Sequence, residues 1–369
     1  MESFFITKID IKKVRHLQDV EINISDTERK HLMLTGKNGS GKTSVINALK
    51  NIIFRSPQIP VASTKVISLS TPEIKLASSL GEEIIKSKLD QLIVFYFLAV
   101  RNLKVEKSVG VKDKITNKVE DFEKFLAKKR TEQAFLSFER ENGKEVKLIS
   151  DWFDKLESSL RFLFEDESLN LVSKRTEDKL NFYLTSDHRE EFDFNTLSSG
   201  YSSILYILFD MMQQMQNEGG SFDYTKEGIA LIDEVEAHLH ISLQKKILPF
   251  LTGFFPNVQF IITTHSPFIL QSLKNSVIFD LETKKRYEDF SNYSSESILE
   301  TFYDMDKFGD LMKQDMVKYE ELLQSVNGQN KNEILEMRKK FLEVPDIEVS
   351  YWIKDMDIRH RDKIKPLLA

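Results

Sequence analysis

The 369-residue sequence predicts an α/β fold built on a mostly parallel central sheet. Three observations predict it. Short apolar runs alternate with helical patterns through the middle of the chain. A glycine-rich turn joins one of those runs to a helix. Chemically distinctive residues fall at the C-terminal ends of three runs, which is where such sheets bind ligands.

The elements follow in order. "FFITKIDIKKV" and "LQDVEINIS" alternate apolar with polar, as strands with one wet face do. "KHLMLTG" is a short apolar strand running into glycine. "GKTSVINALKNIIF" then sets Val45, Ile46, Leu49, Ile52 and Ile53 at helical spacing. Residues 59–90 carry no clear pattern. "LIVFYFLAV" (92–100) reads as a buried strand, being half the length a membrane helix needs. A helix-rich insertion occupies 116–166, and "NLVSKRTEDKLNFYLTS" reads as two short strands joined by a turn. "SSILYILFDMMQQMQ" is a helix, "GIALIDE" a buried strand, "LHISLQKKILPFLTGF" a helix and "VQFIITT" a strand. "SPFILQSL" is a helix capped by Ser266 with Pro267 at its first position. "NSVIFDL" is a further strand, and from about 290 onward only helical patterns with dense charge remain. The expected division is an N-terminal lobe 1–100, a lid insertion 101–190, a second lobe 191–285 and a helical extension 286–369.

Composition narrows the class. Apolar residues are 41% and charged residues 30%, as in ordinary globular proteins, and a net charge of -6 gives no global signal for nucleic acid. The chain has no cysteine, which excludes disulfides and thiolate zinc sites and fits a reducing cytoplasm. "MESFFITKID" lacks the basic start of a secretion signal. No membrane association is expected.

The phosphate-binding motif is "GKNGSGKT", which fits GxxxxGK[ST] between a strand and a helix. Gly36, Gly39 and Gly41 let the backbone turn its N–H groups toward phosphate oxygens, and the helix start adds partial positive charge. Lys42 reaches the β and γ phosphates and the Thr43 hydroxyl ligates magnesium. Asn38, Ser40 and Ser44 complete the expected nucleotide-binding set. The strand "GIALIDE" ends on Asp233 and Glu234, two adjacent carboxylates that need a cation or proton partner. Asp233 is the candidate magnesium ligand, and Glu234 the candidate group polarising an attacking water. One strand later, "FIITTHSPF" puts His265 where it can hydrogen-bond the γ-phosphate or that water.

"GKNGSGKT", "LSSG", "LIDE" and "TTHSP", in that order, resemble the ATPase heads of the ABC class. The resemblance is to the non-transporter branch, the SMC-like, RecF-like and OLD-like ATPases, and covers residues 1 to about 285. "IDEVEAHLH" is close to the pattern of OLD-like, AAA-type bacterial proteins, many of them from antiphage defence systems, including Septu-type and retron-associated ATPases. This implies an ABC-type ATPase head with antiparallel N-terminal strands, a helical lid insertion and a helical C-terminal extension, using ATP and Mg²⁺. It also implies that Ser198, Ser199 and Gly200 form a signature loop completing the ATP site of a second copy, so that a homodimer, or a higher oligomer, closes on nucleotide. In place of the common signature residues stand Ser199 for glycine and Tyr201 for glutamine, and His240 replaces the aspartate of transporters. Gln58 is the candidate magnesium-sensing glutamine, Arg101 a candidate nucleotide or partner contact, and Arg15 and His16 candidates for adenine.

The expected function is a dimeric ATP switch controlling an effector protein, a nuclease above all, in a defence system. The alternatives are a RecF-like repair ATPase and an ATP-held scaffold sequestering a toxin. The absence of sustained heptads between Thr43 and Leu197 excludes long SMC arms. Residues 101–130 carry a net charge of +5, from Arg101, Lys104, Lys107, Lys112, Lys114, Lys118, Lys124, Lys128, Lys129 and Arg130 against five acids. This stretch is the candidate nucleic-acid contact, with a solvated lid as the plainer reading. "YDMD" and "KDMD" near the C-terminus read as helix-surface acids rather than a nuclease centre.

Overall fold

The computed structural model describes residues 3–53, 74–79, 93–99, 118–138, 143–176, 179–216, 223–303 and 308–368. Gln58, Arg101, the basic residues 104–114 and most of "YDMD" lie outside the described residues. The chain divides into two units, Met1–Ser295 and Glu296–Ala369.

In the first unit, β1 (Ile6–Val14), β2 (Leu17–Asn23) and β4 (Ile74–Ser78) form an antiparallel sheet in the order β2-β1-β4. Ile9 and Ile11 of β1 are buried while Lys8 and Asp10, which alternate with them, keep some exposure, as the sequence alternation requires. The main sheet has the order β11-β10-β3-β9-β8-β5. Its parallel strands are β3 (His31–Thr35), β5 (Ile93–Phe97), β8 (Gly228–Ile232), β9 (Val258–Thr263) and β10 (Ser276–Asp280). Every residue of β3, β8, β9 and β10 is buried. That explains why they read as unbroken apolar runs: both faces of a parallel sheet are covered. The edge strand β11 (Lys285–Glu288) pairs antiparallel with β10. Its sequence "KRYE" has no apolar alternation, so nothing local announces it, and register with β10 alone defines it.

Helix α1 (Lys42–Ile53) joins the two sheets. Val45, Ile46, Leu49, Ile52 and Ile53 share one buried cluster with Ile9, Ile11, Leu32, Leu34 and Ile261. Gln259 fastens the same junction from within β9. Its side chain accepts the N–H of Ile6 (2.7 Å) and donates to the carbonyls of Ile6 (2.9 Å) and Lys30 (2.8 Å). A fully buried amide is tolerated here because each of its polar atoms is paired.

The insertion comprises α2 (Lys118–Phe138), α3 (Gly143–Phe164) and the hairpin β6 (Asn170–Arg175)–β7 (Leu180–Thr185). Aromatic residues bind it to α4 (Ser199–Gln214): Phe122 and Phe125 of α2 pack on Phe209, and Phe125 also meets Trp152 of α3. Two cations of the basic stretch are engaged inside the lid. Lys129 is buried and paired with Glu132 at 2.8 Å, and the Arg130 guanidinium lies 3.7 Å from the Phe153 ring centre. Lys124 and Lys128 are exposed.

The second unit contains α7 (Asp310–Gln324), α8 (Lys331–Glu343), α9 (Ile347–Arg359) and α10 (Arg361–Leu368), numbered after α5 (Ile241–Phe254) and α6 (Pro267–Leu270) of the first unit. Tyr319, Leu323, Ile334, Phe341, Ile353 and Met356 form its core, with Met312, Met316 and Leu322 against it. In "KDMD", Asp357 pairs with Arg338 of α8 at 2.7 Å and Asp355 with Arg359 one turn along its own helix at 2.7 Å, so both acids are engaged in ion pairs. Phe341→Ala is expected to destabilise this unit by about 3–5 kcal/mol, because a fully buried ring in a small core leaves a cavity. Urea unfolding followed by tryptophan fluorescence of Trp352 checks it, since that ring packs 5.0 Å from Phe341.

Candidate nucleotide-binding site

The site is built at the C-terminal ends of β3, β8, β9 and β10. The loop from Gly36 to Gly41 leaves β3 and enters α1 with Gly36, Gly39 and Gly41 all at positive φ (130°, 85° and 99°). L-residues rarely adopt this conformation. Gly36 has a second reason to lack a side chain: a Cβ there would fall 2.9 Å from Asp280 Oδ1 and 2.9 Å from Ser40 Oγ. Gly36→Ala should therefore cost roughly 1–3 kcal/mol of local strain and sharply weaken nucleotide binding. A fluorescent ATP analogue titrated into both proteins, alongside melting curves, measures the two effects.

Lys42 is buried, and its ammonium donates to the carbonyls of Gly36 (2.8 Å) and Lys37 (3.1 Å). Burial lowers its pKa, and Glu236, Glu234, Asp233 and Asp280 oppose that shift. The side chain is thus poised at the loop mouth among four carboxylates.

Asp233 is buried just past β8. It accepts from the Thr43 hydroxyl at 3.3 Å and from the Thr263 hydroxyl at 2.7 Å. Thr263 also accepts the backbone N–H of Glu234 at 2.7 Å. One hydroxyl at the end of β9 therefore orients both acids, a role that sequence reading missed. The available signal was a hydroxyl residue closing an otherwise apolar strand. Glu234 itself sits at φ 45°, a left-handed conformation costly for a residue with a side chain. Strain of this kind persists where surrounding bonds over-determine the backbone, and the Thr263 bond is one of them.

His265 follows β9 and is half-buried. Burial lowers its pKa below the ordinary value, Lys42 pushes the same way and Glu234 opposes. Burial and Lys42 both favour the neutral imidazole, which keeps one N–H donor. Its backbone N–H is held by Glu236 Oε1 at 2.5 Å. The next residue, Ser266, caps α6 by accepting from Phe268 N and Ile269 N, as its sequence position predicts.

So the structure brings Gly36, Lys42, Thr43, Asp233, Glu234 and His265 together. Ser40 and Ser44 lie in the same loop and helix start, half-buried, and Asn38 is exposed at the loop tip. His16, exposed in the β1–β2 turn beside Arg15, abuts the loop: a Cβ at Gly41 would lie 3.3 Å from its Cε1.

Ser198, Ser199 and Gly200 stand apart from this group. Among the described residues, no hydrogen bond joins them to the 36–44 loop. Ser198 is the N-cap of α4, but its side chain makes no capping bond, and Ser198 and Ser199 are exposed. Gly200 is buried where a Cβ would meet Leu243 Cδ1 at 2.9 Å and the His238 carbonyl at 3.2 Å. That close approach requires glycine and seats the head of α4 against the loop after β8. Tyr201 stacks face to face on Phe164 of α3, with ring centres 4.2 Å apart and planes at 3°. His240 caps α5, where its Nδ1 accepts from Ser242 N at 3.4 Å.

The motif order, set on a mostly parallel sheet, resembles that of ABC-class ATPase heads. Residues 101–271 match the family described as "AAA domain, putative AbiEii toxin, Type IV TA system", a span that includes Ser198, Gly200, Asp233, Glu234 and His265. The chain is 25% identical to "Septu protein PtuA" of Bacillus mycoides (strain KBAB4) over 315 residues, which is 77% of this chain and 42% of that protein. It is 36% identical over 96 residues to "Retron Ec83 probable ATPase" of Escherichia coli, covering 25% of this chain and 17% of that protein. The chain thus spans less than half the length of these relatives. Among solved structures, an SMC head bound to the C-terminal winged-helix domain of ScpA aligns with a TM-score of 0.39 at 14% identity, covering 75% of this chain and 93% of that one. Among the described residues no helix is long and apolar enough to cross a membrane.

Proposed function

We propose that the chain is an ATP-binding and ATP-hydrolysing switch that works as a homodimer and controls an effector protein, a nuclease, in a cytoplasmic antiphage defence system. The observation carrying this reading is a pair of half-sites on one chain. The 36–44 loop, Asp233, Glu234 and His265 form a cis half built for a triphosphate. The exposed Ser198 hydroxyl, unused by its own helix, is the kind of group that completes such a site on a second copy.

In this reading the backbone N–H groups of the loop hold the β and γ phosphates, and Lys42 leaves the Gly36 and Lys37 carbonyls to pair with them. The residues fit magnesium. Thr43 Oγ1 and Asp233 Oδ1 are hard oxygen donors 3.3 Å apart, close enough to hold one small dication together. Among the described residues no group of three or more acids and histidines forms a separate ion cage. A site of this kind needs none, since phosphates and water supply the other ligands. When bound, the ion neutralises phosphate charge. Glu234 orients and deprotonates the attacking water, and the neutral His265 ring donates to a γ-phosphate oxygen. The Ser198 hydroxyl and the Gly200 N–H of the second copy close the far side.

Names of relatives that include a Septu protein and a retron ATPase support the defence setting. Turnover and solution mass of the purified chain, with ATP and magnesium and again with EDTA, test the reading. Magnesium-dependent phosphate release with a doubled mass is expected. A monomer that binds ATP without doubling its mass would remove the dimer from it.

A further inference from the structure

Glu236 has no part in the chemistry above. It lies in the loop after β8, three positions past Asp233, and its Oε1 accepts the backbone N–H of His265 at 2.5 Å. Its Oε2 is sealed from solvent and has no hydrogen-bond partner, although the residue as a whole keeps some exposed surface. An ionised carboxylate in this position would hold a charge in low dielectric with Oε2 outside hydrogen-bond geometry. A carboxylic acid, with its proton on Oε2 and its carbonyl oxygen taking the His265 N–H, removes the charge and with it the larger part of that cost.

We propose that Glu236 is a positioning residue for His265. Held as a neutral acid, it ties the end of β9 to the loop after β8 and so fixes where the imidazole meets a triphosphate. The inference rests on the ATPase reading for its consequence, but the tie itself is independent of nucleotide. Burial holds the Glu236 carboxyl above the ordinary carboxylate range, the His265 N–H, its own N–H and the Thr264 hydroxyl oppose that shift, and nearby Glu234 adds a smaller push upward. Neutrality also suits the neighbouring lysine. Among the carboxylates acting on Lys42, Glu236 would exert the largest pull if charged, in competition with an incoming phosphate.

The consequence is a contrast between two glutamates two positions apart. Glu234 must be ionised to take a proton from water, so an amide there abolishes its role. Glu236 needs only a carbonyl oxygen facing His265, so an amide there preserves it. Glu236→Ala removes the tie. The test compares Glu236→Gln and Glu236→Ala with wild type in ATP turnover. It also follows the His265 ring protons by NMR without nucleotide, assigned against His265→Asn. Glu236→Ala is expected to lower kcat about a hundredfold, with KM for ATP little changed, since a misplaced group costs roughly that much. Glu236→Gln should stay within about fivefold of wild type. The His265 ring signals should move in the Ala variant and hold in the Gln variant. A Gln variant as impaired as Ala, or an Ala variant with wild-type turnover and unmoved ring signals, overturns the proposal. If wild type itself shows no turnover, the ATPase reading fails instead, and the ring signals alone decide this inference.

Discussion

Glu234→Gln is expected to cut ATP turnover by about a hundred- to ten-thousandfold while leaving ATP binding intact. The amide keeps the size of the side chain and the backbone bond from Glu234 N to Thr263, so the strained turn at φ 45° should survive. What it loses is the capacity to accept a proton from water. A switch that cannot hydrolyse stays closed, so the variant should accumulate as an ATP-bound dimer. Light scattering behind a sizing column, with ATP and magnesium, reads this directly. A variant that turns over normally would assign the base elsewhere. One that stops hydrolysing yet remains monomeric would separate chemistry from dimer closure.

The second large effect is one of complementation. Lys42→Ala and Ser198→Glu should each abolish turnover, the first by emptying the phosphate loop and the second by setting a negative charge against the partner's γ-phosphate. Ser198 is exposed and its hydroxyl caps nothing, so the substitution should leave the fold unharmed. Mixed together, the two dead proteins should recover about a quarter of wild-type turnover: roughly half the dimers are mixed when exchange is statistical, and each mixed dimer has one intact site of its two. No recovery on mixing, with mixed dimers present, would place the complete site within a single chain.

Much of the site was legible because its chemistry is local. "GKNGSGKT" determines its own conformation, since three glycines at positive φ and a helix start need nothing from distant sequence. The same holds for Ser266 and Pro267, where cap and first turn are adjacent. The buried parallel strands were legible from apolar runs bounded by glycine or polar residues. What escaped is non-local. Thr263 matters only because β9 lies beside β8, so that its hydroxyl falls between the Asp233 carboxylate and the Glu234 backbone N–H. Glu236 matters only because its loop faces the end of β9. β11 exists by pairing, and β4 falls in a stretch whose short pattern is too weak to read alone. The basic stretch shows the converse. Counting charges presumed free cations, whereas Lys129 and Arg130 are engaged by Glu132 and Phe153.

The lysine at the loop mouth carries a last consequence. Its ammonium is already satisfied by two carbonyls, so an arriving anion must displace bonds before it makes any. Inorganic phosphate or sulfate, offering few contacts, competes poorly against that occupied state. A nucleoside triphosphate, able to engage backbone amides along its whole chain of phosphates, would compete well in the proposed function. Under the proposed ATP-binding function, this arrangement would select against small anions before any base or sugar is recognised.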